Sequence, residues 1–316
     1  MILQTHIPLK KQLHNRVDYH SKILLVGSCF SENIGDKFNY FKFDSLQNPF
    51  GILYHPKAIE NLILNAINEK VYDGTDVFYY NERWHSFDAH SDLSSTSKED
   101  ILGNLNGAIN QTYQQINRSS HIIITLGTAW SYRHIDTDAL VANCHKIPQK
   151  KFLKEIQSVK AIIESLEAII ALIRSVNPKV AFIFTVSPVR HIKDGFVENT
   201  QSKSHLITAI HQVVEARENI YYFPSYEIMM DELRDYRFYA EDMLHPNKIA
   251  IDYIWECYKS VWISSEANNT MHEVDSIQKV LNHKPFNPES EAYKVLLEQL
   301  EKRKNDLNSK FPHIIF

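Results

Sequence analysis

Four short apolar runs, at 22–26 (KILLV), 121–126 (HIIITL), 180–186 (VAFIFTV) and 219–223 (NIYYF), most constrain what this chain can become. They are short, bounded by turn residues and continuously apolar, so they read as strands buried on both faces. Between and beyond them stand helical patterns at 56–69, 98–117, 149–176, 202–217 and 247–262. The longest repeats Phe152, Ile156, Val159, Ile163, Leu166, Ile170, Ile173 and Val176 at steps of three or four, with Pro178 after its end. Strands alternating with helices require right-handed crossovers and a parallel sheet. The expectation is therefore an α/β chain folded as a three-layer α/β/α sandwich, with 41–46 supplying a fifth strand.

After about Ser264 the composition turns polar, and 289–306 has the pattern of a charged amphipathic helix. Two regions are expected: a domain over 1–263 and a C-terminal helical extension over 264–316 that serves as packing or partner surface. The 316 residues are 44% hydrophobic, ample for a buried core. No apolar run approaches the roughly 18 residues of a membrane span, and Met1 to Arg16 lack the apolar block of a secretion signal, so a cytoplasmic protein without membrane attachment is expected. Cys29, Cys144 and Cys257 form no CxxC pair, against both a disulfide framework and a thiolate zinc site. A net charge of -4 with mixed signs shows no basic stripe for nucleic acid. Glycine-rich phosphate loops are absent, so nucleotide cofactors have no support.

In an open parallel sheet, ligands sit beyond the carboxyl ends of the strands. The first such end reads Gly27-Ser28-Cys29-Phe30-Ser31 and runs into a helix-like segment. A strand that breaks at glycine and enters a helix leaves N–H groups free to stabilise an anion, and the same junction is expected to lower a thiol's pKa. Cys29 or Ser28 is the candidate nucleophile, although a lone cysteine near a strand end is commonly a small buried apolar residue. Far along the chain, Asp242-Met243-Leu244-His245 has the spacing of an orienting carboxylate and a base. Helix capping by Asp242 and a satisfied buried His245 are the competing explanations.

Six segments together resemble the GSCFA-domain family: Gly27 to Ser31, Asn48-Pro49-Phe50-Gly51, Trp84 to Ser91, Gly127-Thr128-Ala129-Trp130, Ser187-Pro188-Val189-Arg190 and Asp242 to Pro246. The resemblance spans roughly residues 20 to 260, with the motifs in the family's order. It implies membership of the SGNH, or GDSL, hydrolases, hence a flavodoxin-like sandwich and acyl-ester chemistry on a small O-acyl substrate such as an acetylated carbohydrate. The superfamily's nucleophile position falls on Cys29, with Ser28 in the slot before it, and its terminal block falls on Asp242 and His245. A thiol performs the same addition to a carbonyl.

The resemblance also implies an oxyanion site, with Gly51 as one donor. Ala129, however, stands where the superfamily places an asparagine amide. Losing one such donor costs about 2.7 to 4 kcal/mol in the transition state, so a substitute is needed or activity is weak. Thr128, Asn48, Asn143, His85 and His90 are candidates. His85, His90, Asn143 and Arg190, with His191 and Lys203, are candidates for holding substrate. A zinc site built from His85 and His90 with His134 or His145 lacks any specific spacing, and no metal is expected. The aromatic stretch from Tyr72 to Trp84 suits a packed cluster or a sugar or acyl pocket, and the pocket is the expectation. Two other functions fit: a non-catalytic ligand-binding protein that retains the fold, and a thiol redox or acyl-carrier interaction protein resting on Cys29 alone.

Overall fold

The computed structural model describes residues 5–215, 217–284, 286–288 and 290–316. Positions 1–4, 216 and 289, which fall within the expected first domain, the 202–217 helix and the 289–306 helix, lie outside the described residues. In chain order the elements are β1 (Lys22–Gly27), α1 (Cys29–Tyr40), β2 (Asp44–Gln47), α2 (Pro56–Ile67), β3 (Phe78–Tyr80), β4 (Arg83–His85), α3 (Lys98–Arg118) and β5 (His121–Leu126). There follow β6 (Trp130–His134), β7 (Ala139–Val141), β8 (Phe152–Ile156), α4 (Val159–Val176), β9 (Ala181–Val186), α5 (Phe196–Val214) and β10 (Ile220–Tyr222). A single turn α6 (Ser225–Glu227), then α7 (Lys248–Trp262), α8 (Ser265–Asn282) and α9 (Glu291–Lys310), complete the chain.

The expected sandwich is present. Five parallel strands form the central sheet in the order β2-β1-β5-β9-β10. Alternating side chains sort its two faces. Leu24, Val26, Ile122, Ile124, Phe182 and Phe184 enter the layer covered by α2, α3, α4 and α5. Ile23, Leu25, Ile123 and Ile183 enter the opposite layer with α1 and α7. There Phe38 meets Trp255 and Tyr258 edge to face. Helix α8 joins that layer through Ala267, Met271, Val274 and Ile277, so the polar stretch after Ser264 begins with a helix packed on the core. The two faces explain why the strands read as uninterrupted apolar runs.

One expected helix is shorter than its periodicity indicated. Within 149–176 the helix begins at Val159, capped by Ser158, whose hydroxyl accepts from the Ala161 N–H at 3.2 Å. Phe152 and Ile156 instead lie on β8, paired antiparallel with β6. Their spacing of four is even, so it keeps both on one side of a strand as readily as on one face of a helix. The long stretch after β5 is likewise organised, since β7, β6 and β8 make a small antiparallel sheet beside the main one. Helix α5 starts at Phe196, earlier than expected, and its first turn leaves Phe196 and Val197 exposed, outside the apolar stripe that marks the rest of the helix.

The order reverses between β1 and β5, where an open sheet forms its ligand crevice. Gly27 ends β1 there with φ +139°, and a Cβ would overlap the Thr125 carbonyl on β5. Its carbonyl accepts from the Leu53 N–H at 2.9 Å, and its own N–H donates to Asn48 Oδ1 at 2.9 Å. Glycine is thus required by both conformation and approach. Replacing Gly27 with alanine is expected to destabilise the fold by about 3 kcal/mol or more, measured by urea unfolding, whereas the control Gly103→Ala, on an open helix surface, is expected to gain about 0.5–1 kcal/mol.

Candidate active site

The β1–α1 junction separates its two nucleophile candidates by position. Ser28 is fully buried and is the N-cap of α1, its hydroxyl accepting from the Phe30 N–H at 3.3 Å. Cys29 is the first helical residue and is partly exposed. The N–H groups of Cys29 and Phe30 face its sulfur and favour the thiolate, as does the nearby Lys203 ammonium. Burial nevertheless pushes the thiol up, and the Glu32 carboxylate adds to it. The lowering expected of a helix start is therefore outweighed here.

Asp242 and His245 form a direct pair. Asp242 Oδ2 lies 2.6 Å from His245 Nδ1, while Oδ1 accepts the N–H groups of Leu244 at 2.9 Å and His245 at 3.0 Å. The His245 and Leu244 N–H groups and the imidazole push the Asp242 carboxyl down to about 2. Helix capping belongs to Asn247, whose side chain accepts from the Ala250 N–H at 3.1 Å, so Asp242 is left for the histidine. An ionised carboxylate accepts from Nδ1–H and leaves Nε2 as the nitrogen available to substrate. The pair is carried by a tight turn in which the Ala240 N–H donates to the His245 carbonyl at 2.7 Å.

The loop after β9 ties that turn to the sheet. The Arg190 N–H donates to the Leu244 carbonyl at 3.2 Å, while the Arg190 guanidinium lies over Tyr239 at 4.8 Å. Arg190 thus faces the tyrosine cluster. His191 follows, its ring edge-on to Tyr54 at 5.5 Å and within electrostatic reach of Lys203 and His245. Tyr54 and Lys203 in turn lie within reach of Cys29. Cys29 and His245 share no hydrogen bond among the described residues; Tyr54 and Lys203 lie near Cys29, and His191 lies near Tyr54, Lys203 and His245.

Lys203 is buried, so it holds the scaffold and not a substrate group. Its Nζ donates to the Gly127 carbonyl at 2.8 Å and the Ser187 carbonyl at 2.7 Å, joining the loops after β5 and β9. Burial lowers its pKa to about 7. Ser202 accepts the Ala129 N–H at 2.7 Å and lies 3.0 Å from the Thr128 hydroxyl. Sequence reasoning missed Ser202 and Tyr54. A signal for Ser202 was present: Asn199, Ser202 and Lys203 extend, at helical spacing, the stripe of Leu206, Ala209, Ile210 and Val213 that buries α5.

Three of the candidate oxyanion donors, Gly51, Asn48 and Thr128, already have partners. The Gly51 N–H donates to the Asn48 carbonyl at 2.7 Å. Asn48 turns Oδ1 to Gly27 and Nδ2 to Glu32, at 3.4 Å. The Thr128 hydroxyl accepts the Trp130 N–H at 3.0 Å. His90 packs against Gly51 and stands 2.9 Å from Asp92 through Nδ1, near Glu32. His85 lies elsewhere, between Ser94 Oγ and the Tyr80 carbonyl, with its ring 4.5 Å from that of His145. The aromatics between Tyr72 and Trp84 are thus packed against neighbouring rings, Tyr72 on Phe50, Phe78 on His85 and Phe87, and Tyr79 on Trp84, and line no part of the cavity beside this rim, against the expected pocket. Among the described residues, no three His, Cys, Asp or Glu side chains converge as a metal would require.

A cavity of about 650 Å³ opens beside this rim. Tyr54, Thr128 and His191 line it, and Trp130, Tyr132 and Phe152 supply apolar wall. Tyr54 also lies within reach of Cys29, which, like His245, is not among the lining residues. Asn143, Lys193 and Asp194 add polar groups, although the Asn143 side-chain carbonyl is engaged by the His145 N–H at 2.8 Å. Such a volume admits a small organic ligand. The cavity is built largely by the antiparallel sheet inserted after β5.

The sequence matches the GSCFA family over residues 22–258 and the GSCFA domain protein, C-terminal domain, over residues 274–316. No curated protein matches the chain. No helix among the described residues is long and apolar enough to cross a membrane.

Several histidines near the site are held neutral by burial, including His55 and His145, the latter lowered to about 4. A folded-state pKa below the unfolded 6.5 means that the unfolded chain takes up protons first, so stability falls as pH drops below 6.5. His145 Nε2 donates to the Ser86 carbonyl at 2.7 Å. Between pH 7 and pH 5, urea unfolding is expected to show a loss of about 2 kcal/mol from His145 alone. His145→Gln, which keeps a donor but does not titrate, is expected to lose that much less over the same interval.

Proposed function

The chain belongs to the GSCFA family, and from that membership and the geometry of the rim we propose an SGNH/GDSL-type hydrolase or acyltransferase. Its substrate is a small O-acyl group, such as acetyl on a carbohydrate hydroxyl, and its working compartment is the reducing cytoplasm. The observation that carries this reading is the Asp242–His245 pair, with Oδ2 2.6 Å from Nδ1, on the same sheet edge as a partly exposed cysteine at a helix start. The packing of Ser28 as an N-cap favours Cys29 as nucleophile.

Cys29 Sγ attacks the acyl carbonyl while His245 Nε2 takes the thiol proton. Asp242 holds the imidazole and stabilises its charged form. The tetrahedral intermediate collapses, the alcohol oxygen departs with the proton from His245, and a thioester remains on Cys29. Water or a second hydroxyl, deprotonated by His245, attacks the thioester and returns the thiol. The cavity lined by Trp130 and Tyr132 receives the group that carries the ester.

Incubation with an activated acetyl ester, followed by intact-mass and peptide analysis, tests the reading. The adduct is expected on Cys29, to be absent in Cys29→Ala, and in His245→Ala both to form and to be hydrolysed about 100-fold or more slowly. An unmodified Cys29 across a range of acyl donors would favour the non-catalytic binding protein. Asp242→Asn is expected to lower turnover by about 100-fold or more with little change in KM.

A further inference from the structure

We infer that His191, through Nε2, is the oxyanion donor that replaces the side-chain amide missing at Ala129; the inference rests on the acyl-transfer reading above. A thiol adding to a carbonyl moves an electron pair onto the carbonyl oxygen, and that charge needs N–H groups placed in advance. The Cys29 and Phe30 N–H groups face the sulfur side of the site. Gly51, Asn48 and Thr128 are committed to Asn48, Glu32 and Gly27, and Trp130 and Ser202, respectively. The Gly127 and Thr128 N–H groups are likewise spent, both donating to the Tyr54 carbonyl, at 2.9 and 3.0 Å.

His191 differs from all of these. Its Nε2 is buried and has no hydrogen-bond partner among the described residues, an arrangement that costs free energy unless a ligand completes it. The ring lines the cavity edge-on to Tyr54, which is itself within reach of Cys29. It is fixed there by its backbone, whose N–H donates to Asn199 Oδ1 at 3.0 Å, and by the neighbouring Arg190 N–H on the Leu244 carbonyl. Burial and the Lys203 charge lower its pKa to about 3. The ring is therefore neutral at working pH, and with its one proton on Nε2 it polarises a carbonyl without the acidity of an imidazolium, which would protonate the oxyanion. This leaves His245 as the base and gives the two histidines separate tasks.

The test compares two reactions of Cys29 in the full chain. Acetylation by p-nitrophenyl acetate passes through an oxyanion, whereas alkylation by iodoacetamide displaces iodide at a saturated carbon and does not. Wild type, His191→Ala, His191→Phe and His191→Gln are followed by stopped-flow release of nitrophenolate and by mass analysis of alkylation. His191→Phe preserves the packing against Tyr54 without a donor, and His191→Gln restores an N–H near the Nε2 position. Acetylation is expected to slow by about 100-fold or more in the alanine and phenylalanine variants, with alkylation within about threefold of wild type and about tenfold recovery in His191→Gln. Acetylation of His191→Phe within about threefold of wild type would overturn the assignment, as would an equal loss in both reactions. A wild-type protein that alkylates at Cys29 but never acetylates there would instead overturn the acyl-transfer reading, and the assignment with it.

Discussion

The buried ammonium of Lys203 fixes the relation between the two loops that shape the site. Parallel strands end in carbonyls that lack a next rung, and at β5 and β9 these include Gly127 and Ser187. One cation between them satisfies both and holds the strand ends together, at the cost of its own desolvation. Two other residues of the same helical stripe continue the clasp. Asn199 receives the His191 N–H, and Ser202 receives the Ala129 N–H. Helix α5 thereby positions both chain segments that leave the sheet opposite Cys29, without contributing a group that must meet substrate.

The central sheet was legible because its strands are buried on two sides and carry little besides aliphatic and aromatic residues. Their lengths and the helices between them leave few alternatives to a parallel, doubly wound arrangement. The small sheet of β6, β7 and β8 was not legible for the opposite reason. Its strands are short, mixed in polarity and partly exposed, and Phe152 and Ile156 share a spacing that suits helix and strand alike. Pairing partners brought together by folding decide such cases, as the register of Trp130 with Ile156 and His134 with Phe152 illustrates. The same limit hid the cavity, whose walls come largely from that insertion.

At the site, the pairing of Asp242 with His245 could be read from a spacing of three because the turn between them closes locally. The division of labour between Ser28 and Cys29 could not. It depends on where α1 begins, and a shift of one residue would exchange a buried cap for a partly exposed thiol. His85 and Arg190 were plausible ligands by residue type, yet the fold turns one into an aromatic cluster and the other onto Tyr239. Lys203 carried the contrary lesson. Its charge suggested solvent or substrate, while its place on an apolar stripe meant burial.

The balance of forces on Cys29 decides what kind of nucleophile it can be. The N–H groups of the α1 start and the Lys203 ammonium favour the thiolate, but burial and the Glu32 carboxylate prevail and keep the thiol pKa above its ordinary value. Burial also lowers Lys203 to about 7, which weakens the very charge that would offset Glu32. A preformed thiolate–cation pair is therefore disfavoured at neutral pH, and on the acyl-transfer reading the proton must leave during attack. That requirement makes the base indispensable: His245, held through Nδ1 by a carboxylate that stays ionised to about pH 2, presents the free Nε2 such a step needs. It also places the demand for charge stabilisation on the carbonyl oxygen and not on the resting sulfur, and there a neutral donor serves better than an imidazolium, which would lose its proton to the oxyanion.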